Sequence, residues 1–122
     1  MSTETRSIIE KLYRCGKDGD LRGVLALLDE KVRVIEPSFL PYGGTYEGHD
    51  SFLKLFALIQ EKYFDDSKLT IDYIAVEGPH ALVMARAPGW KGEEVVLAEE
   101  VLVRNGRIVK IKIYMHQAPT IA

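Results

Sequence analysis

Cysteine is almost missing from this chain of 122 residues, which contains a single one, Cys15. One cysteine cannot form an internal disulfide or a cysteine-based metal cluster, and this usage is typical of a reducing compartment. The chain also lacks an excess of charge, since 16 basic and 18 acidic residues give a formal net charge of −2. That balance favours neither nucleic acid nor an anionic membrane surface as a partner.

Long apolar runs are absent as well. No stretch approaches the roughly 20 residues of a membrane-spanning helix, and the polar first residues contain no apolar signal core. The histidines His49, His80 and His116 have no helix-paired spacing, which predicts no metal site. The Gly43-Gly44 pair belongs to no phosphate-binding pattern. We therefore expect one cytoplasmic domain with no metal, no organic cofactor and no membrane contact.

The apolar residues that are present follow two different periods. Three- and four-residue spacing predicts a helix over Thr5–Gly16, a short helix capped by Asp20, and a helix over Asp50–Lys62. Runs rich in Val, Ile and Leu predict strands over Lys31–Glu36, Leu69–Glu77, His80–Ala87, Glu93–Arg104 and Arg107–His116. Helices followed by hairpin-connected strands predict an α+β domain, in which a curved, mostly antiparallel sheet buries one face against the helices.

The stretch from Val32 to Gly48 contains the first candidate for chemistry. Val32, Val34 and Glu36 share one strand face, so a carboxylate closes an otherwise apolar row. Pro37 ends the strand because it has no N–H for the ladder, and an apolar loop follows. One interpretation is that Glu36 furnishes a small buried pocket. The alternative is that it is a solvated residue at a strand end.

A second pair of acids lies in the middle of the strand predicted for Glu93–Arg104. Glu99 and Glu100 point to opposite faces by alternation, so one of them enters the space between sheet and helices. Two carboxyls in one cavity would have raised pKa values, leaving one protonated donor and one ionised base. The alternative is a structural salt bridge to Arg104, Lys110 or Lys112 on or beside the last strand.

The same strand is apolar on both faces, with Val95-Val96-Leu97-Ala98 and Val101-Leu102-Val103 in its sequence. A helix layer covers only one of these faces. We therefore predict a homodimer that covers the outer face of the sheet.

Taken along its whole length, the chain resembles the nuclear transport factor 2-like superfamily, and within it the SnoaL-like polyketide cyclases and ketosteroid isomerases. The resemblance is carried by Gly19-Asp20-Leu21, by Glu36-Pro37, by the Tyr42–Gly48 segment YGGTYEG, and by Glu100 five residues before Asn105-Gly106. It implies a cystatin-like cone, a strongly curved sheet wrapped around three N-terminal helices.

The resemblance also implies roles for individual residues. Glu36 falls where ketosteroid isomerases hold the general base, and Glu100 falls where they hold a protonated acid, which implies that Glu100 faces inward. The family's oxyanion tyrosine aligns with Leu12, one residue from Tyr13, a displacement of about 100° around a helix. The acid that SnoaL-like cyclases use near the end of the final strand corresponds here to His116.

These observations lead to three functional hypotheses. The first is an enzyme of isomerase or cyclase type that binds a small hydrophobic carbonyl compound in a closed pocket, with Glu36, Glu100 and Tyr13 as catalytic residues. The second is a non-catalytic ligand-binding or dimerisation module, and the third a hydrolase or dehydratase that uses a carboxylate-held water. The candidates for the pocket lining are Phe39, Leu40, Tyr42, Phe56, Trp90, Leu102 and Met115, of which the aromatic residues are alternatively simple packing residues.

Overall fold

The computed structural model describes residues 2–120 of the chain. Its helices are α1 (Ser2–Lys17), α2 (Leu21–Leu27) and α3 (Gly48–Lys62), with a single 3₁₀ turn at Asp66–Lys68. Its strands are β1 (Leu28–Glu36), β2 (Gly44–Glu47), β3 (Thr70–Glu77), β4 (His80–Pro88), β5 (Glu94–Arg104) and β6 (Arg107–Met115). The order of helices and strands agrees with the sequence pattern, except that β2 was expected to be loop.

The helices form because each presents one apolar stripe to the sheet. In α1 the buried side chains include Ile8, Ile9 and Leu12, which lie three and four residues apart. The short helix α2 begins at its cap Asp20, whose Oδ1 accepts a hydrogen bond from the Gly23 N–H at 2.9 Å. Helix α3 buries Leu55 and packs against β1 and β2.

The strands form one six-stranded sheet in the order β2-β1-β6-β5-β4-β3. All neighbours are antiparallel except β1 and β6, which are parallel. The sheet is curved and unclosed, and the three helices lie against it. The predicted α+β cone with a mostly antiparallel sheet is therefore confirmed.

The hairpin between β5 and β6 turns at Asn105-Gly106, as the sequence predicts. Both residues have positive φ angles, 52° and 78°, which a type I′ turn requires. The register then shifts by one residue, because Val103 lies opposite Ile108 whereas Leu102 lies opposite Lys110. Val109 is the extra residue of this β-bulge. Ile108, rather than Val109, is fully buried in the core.

The core lies between the helices and the inner face of the sheet. Alternate residues of β5 contribute to it, since Val95, Leu97, Val101 and Val103 are all buried. No helix within residues 2–120 has the length and apolar character that crossing a membrane requires.

Candidate functional site

A cavity of about 510 Å³ lies between the helices and the inner face of the sheet. Its wall is largely apolar and includes Val34, Leu55, Phe56, Leu97, Ile113 and Met115. A volume of this size is in the range that binds small organic ligands. The fold therefore leaves a largely apolar cavity between its helices and its sheet.

The cavity reaches the surface beside the second half of α1. Arg14 and Lys17 on that helix, and Leu21 at the start of α2, line the cavity and are exposed. The expectation of a closed pocket is therefore wrong. The site is an apolar cleft with a polar, partly basic mouth.

Glu36 lies inside this cavity at the end of β1. Its side chain is buried, with 5 % of the residue exposed, and its Oε1 has no hydrogen-bond partner among the described residues. Burial raises the pKa of Glu36 from an ordinary 4.5 to about 7. The interpretation of Glu36 as a solvated strand end is therefore wrong, and Pro37 ends the strand where the carboxyl enters the cavity.

Glu99 is the second acid of the cavity. It lies on the inner face of β5 between the buried residues Leu97 and Val101, and it lines the cavity together with Tyr13 of α1. The Tyr13 hydroxyl donates a hydrogen bond to Glu99 Oε1. Burial raises the pKa of Glu99 from an ordinary 4.5 to about 7. The carboxyl therefore keeps its proton up to a higher pH than an exposed glutamate does.

Glu100 does not line the cavity, and the expectation that it faces inward with Ala98 and Leu102 is wrong. Its Oε1 accepts a hydrogen bond of 2.9 Å from the hydroxyl of Tyr114, on the outer face of β6. The physical reason is the alternation of β5. Leu97, Val101 and Val103 are buried, so Glu99 shares their face and Glu100 lies on the opposite, outer face. The bulge at Val109 brings the outward-facing Lys112 of β6 opposite Glu100.

Glu36 and Glu99 lie in one row across three adjacent strands. Ile35 pairs with Lys112 in the parallel β1–β6 ladder, so the next residues, Glu36 and Ile113, are neighbours. Ile113 in turn pairs with Glu99 in the antiparallel β5–β6 ladder. Two strand spacings separate the two glutamate backbones by about 10 Å. Glu36 and Glu99 therefore flank Ile113 on the inner face of the sheet, and all three residues line the cavity.

The resemblance aligns the family's oxyanion tyrosine with Leu12, but the tyrosine of this cavity is the next residue, Tyr13. Leu12 and Tyr13 both line the cavity, and Leu12 is the more deeply buried of the two. Because the Tyr13 hydroxyl donates its hydrogen bond to Glu99, Tyr13 is placed to hold the Glu99 carboxyl in position.

Of the predicted lining residues, Phe56 and Met115 line the cavity. Leu102 shares the outer face of β5 with Glu100 and is half-buried there. Phe39 is 56 % exposed, in the loop that follows β1. Trp90 donates from Nε1 to the backbone oxygen of Gln60 and is partly exposed.

Leu40 and Tyr42 are core residues outside the cavity wall. Both are buried, and the Tyr42 ring lies 4.6 Å from that of Tyr63, centroid to centroid. Burial and the nearby charge of Glu36 raise the pKa of the Tyr42 hydroxyl far above its usual range. Tyr42 is therefore a packing residue, and the charge of Glu36 disfavours ionisation of its hydroxyl.

Sequence reasoning missed Asp66, a further acid that lines the cavity besides Glu36, Glu99 and the exposed Glu10. It begins the 3₁₀ turn after α3 and lines the cavity near Phe64 and Leu69. Burial, together with the neighbouring charge of Asp65, raises the pKa of Asp66 to about 6. The only sequence signal was an Asp-Asp pair directly after the end of a predicted helix, a pattern that usually marks a solvated turn.

The acids that line the cavity are not grouped as metal ligands. Within residues 2–120, no group of three or more His, Cys, Asp or Glu side chains has the geometry to hold a metal ion. The arrangement is instead suited to proton transfer, because carboxyls with pKa values near neutrality can both give and take protons near pH 7.

The buried Glu36 predicts an unusual pH dependence of stability. Since the folded-state pKa of Glu36 is about 7 against an ordinary 4.5, its contribution to stability is fully present below pH 4.5 and is lost as the pH rises through 7. Glu36→Gln removes this ionisation. Between pH 5 and 8 we expect the free energy of unfolding of the wild type to fall by about 3 kcal/mol more than that of Glu36→Gln.

Urea denaturation across this pH range measures the effect. Glu100→Gln, the same change on the outer face, controls for the loss of one negative charge. Parallel curves for the wild type and Glu36→Gln would contradict the burial of an ionisable carboxyl at this position.

Known proteins share this architecture. An NTF2-like protein of unknown function from Burkholderia pseudomallei superposes with a TM-score of 0.77 at 21 % identity, covering 92 % of this chain and 90 % of its own. A putative SnoaL-like polyketide cyclase from Jannaschia sp. CCS1 gives 0.79 at 17 % identity, covering 94 % and 87 %. TerC, co-crystallised with polyporic acid, gives 0.78 at 16 % identity, covering 92 % and 91 %.

At these identities the structural matches establish the fold alone. No curated protein matches the chain. The sequence does match the SnoaL-like domain family over residues 9–111, a span that includes the second half of α1, Glu36, Glu99 and most of the sheet. The chain therefore belongs to the SnoaL-like domain family.

Proposed function

We propose that this protein binds a small hydrophobic carbonyl compound in the cavity and catalyses proton transfer at the carbon next to the carbonyl. One observation carries the proposal: two carboxyls, the buried Glu36 and the half-buried Glu99, lie in one row of the sheet in a single, largely apolar cavity. Each has a pKa of about 7. A base and a proton donor with such values suit enolisation near neutral pH.

In this mechanism Glu36 acts as the base. Its unpartnered Oε1 takes a proton from the carbon next to the carbonyl, and the electron pair of the broken C–H bond moves toward the carbonyl oxygen. A pKa near 7 makes Glu36 a stronger base than an exposed glutamate while leaving about half of it ionised at neutral pH.

Protonated Glu99 stabilises the oxyanion that develops. Its hydrogen bond from Tyr13 fixes one carboxyl oxygen, and the other donates to the substrate oxygen in a largely apolar cavity. For an isomerisation, Glu36 then returns its proton to a second carbon of the enolate. For a cyclisation, the enolate carbon attacks a second carbonyl carbon of the ligand, the electron pair of that carbonyl moves to its oxygen, and this oxygen takes the proton from Glu36. This arrangement assigns to Glu99 the role first given to Glu100.

Similar proteins give limited support. One neighbour in structure is described as a putative SnoaL-like polyketide cyclase, and another was crystallised with polyporic acid. Both are compatible with a cavity of this fold that accepts an organic ligand.

The single cysteine, Cys15, is a free thiol, and we place the protein in the reducing cytoplasm.

The base assignment is tested by substitution. On a panel of enones and β-keto compounds followed by ultraviolet absorbance, Glu36→Gln should lower kcat by about 10²- to 10⁴-fold, because the amide cannot accept the proton. Glu100→Gln is the matched control on the outer face and should retain wild-type turnover. Glu99→Gln, which keeps a donor, should lose less activity than Glu99→Leu.

The outcomes separate the alternative functions. Unchanged turnover in Glu36→Gln would refute the base assignment. Ligand binding without turnover of any compound would favour a non-catalytic binding module. Turnover confined to substrates that take up or lose water would favour a hydrolase or dehydratase in which the two glutamates hold that water.

We also propose that the protein is a homodimer through the outer sheet face. Tyr73, Leu82, Val96 and Tyr114 lie on this face and are 37–55 % exposed. A continuous row crosses four strands, since Tyr73 pairs with Met84, Met84 with Ala98, and Ala98 with Tyr114. An apolar surface of this extent marks an interaction site, and a second copy offers the same surface in return.

Analytical ultracentrifugation tests the dimer. We expect the wild type to have twice the chain mass of 13.8 kDa, and Val96→Glu, which places a charge in the apolar row, to sediment as a monomer. Phe39→Glu, a change of the same kind at an exposed loop residue, should remain dimeric. A monomeric wild type at micromolar concentration would contradict the proposal.

A further inference from the structure

Asp66 presents a carboxyl to the cavity that the fold itself does not use. Its backbone is fixed on both sides, because its N–H donates to Gln60 Oε1 at 2.9 Å and its carbonyl accepts from the Leu69 N–H at 3.2 Å. Its carboxyl lines the cavity. It has no hydrogen bond or ion pair with any residue in the described part of the chain.

The preceding residue, Asp65, shows what a structural aspartate looks like in the same turn. Its Oδ1 accepts from Gln60 Nε2 at 3.0 Å, from the Ser67 N–H at 3.2 Å and from the Ser67 hydroxyl at 2.5 Å. These hydrogen bonds lower the pKa of Asp65, whereas burial raises that of Asp66 to about 6. Asp65 therefore holds the turn together, and Asp66 is free to contact a ligand.

The rest of the cavity contains more hydrogen-bond acceptors than donors. Glu36 is 95 % buried, from an exposure of 5 %, and its Oε1 points into the cavity without a partner among residues 2–120. The donor of Tyr13 is already engaged by Glu99. The other polar side chains that line the cavity are exposed at its mouth, and they are Glu10, Arg14, Lys17 and Thr70. A ligand that fills the interior therefore has to supply donors of its own.

We propose that Asp66 forms a second polar subsite of the cavity, which binds a protonated amine on an otherwise apolar ligand. An ammonium group satisfies a carboxylate with charge-assisted hydrogen bonds and offsets the negative charge that ionised carboxyls place in an apolar space. A carboxylate on the ligand would be repelled by the same groups.

This inference narrows the proposed function to an amine-bearing carbonyl compound and rests on the same cavity. Its test, however, needs no turnover. Three probes of nearly equal shape, 2-naphthylmethylamine, 2-naphthylmethanol and 2-naphthoate, are titrated into the full-length protein by calorimetry at pH 7.5, where the amine is protonated.

We expect the amine to bind the wild type at least about tenfold more tightly than the alcohol, with the carboxylate weakest. In Asp66→Asn the affinity for the amine should fall about tenfold, while that for the alcohol changes by less than about threefold. Asp72→Asn controls for the loss of one negative charge, since Asp72 is exposed and paired with Arg86 at 3.0 Å. It should leave the preference for the amine unchanged.

Three results would overturn the proposal. They are equal or tighter binding of the alcohol or the carboxylate to the wild type, an unchanged preference in Asp66→Asn, and an equal loss of amine affinity in Asp72→Asn. If the binding test fails while Glu36→Gln still lowers turnover, only the amine subsite is refuted. If Glu36→Gln leaves turnover unchanged while the wild type still binds the amine selectively, only the catalytic proposal is refuted.

Discussion

The alternation of β5 across the sheet is the constraint on which the site depends. Val95, Leu97, Val101 and Val103 are buried on one face, and a strand that begins with this parity must place Glu99 among them. A shift of a single residue would exchange every side chain between the core and the outer face. The bulge at Val109 adjusts β6 to this parity, so the hairpin keeps its tight turn and both strands keep their buried aliphatic rows.

That constraint has an electrostatic consequence. The inner face carries Glu36 and Glu99 into an apolar cavity, where ionisation of either carboxyl is opposed by desolvation. The outer face carries Glu100 opposite Lys112, with Tyr114 as its hydrogen-bond donor. Adjacent glutamates thus have opposite environments, one suited to proton transfer and the other to a polar position on a sheet surface. A fold that retains unpaired acids in its interior gives up stability at neutral pH, a trade that is common at functional sites.

The sequence was sufficient for the architecture because its signals are local. Helical spacing in α1, the cap Asp20 and the Asn105-Gly106 turn each determine structure within a few residues. It also placed Glu36 on the same face as Val32 and Val34, because the register shift of β1 lies before Arg33, but it left open whether that carboxyl was buried or solvated. The orientation of Glu99 and Glu100 was beyond it. Both faces of β5 are apolar, and the register depends on a bulge that has no glycine or proline to mark it. Asp66 was beyond it too, because its burial arises from α1 packing over the turn.

The central claim is that Glu36 and Glu99 are titratable carboxyls of one largely apolar cavity. Carbon-detected NMR of protein labelled with ¹³C at the glutamate carboxyls measures this directly, with resonances assigned by their loss in Glu36→Gln and Glu99→Gln. The account predicts titration midpoints near 7 for both residues. Midpoints near the ordinary 4.5 for both would contradict it, because they would show that neither carboxyl is held away from water.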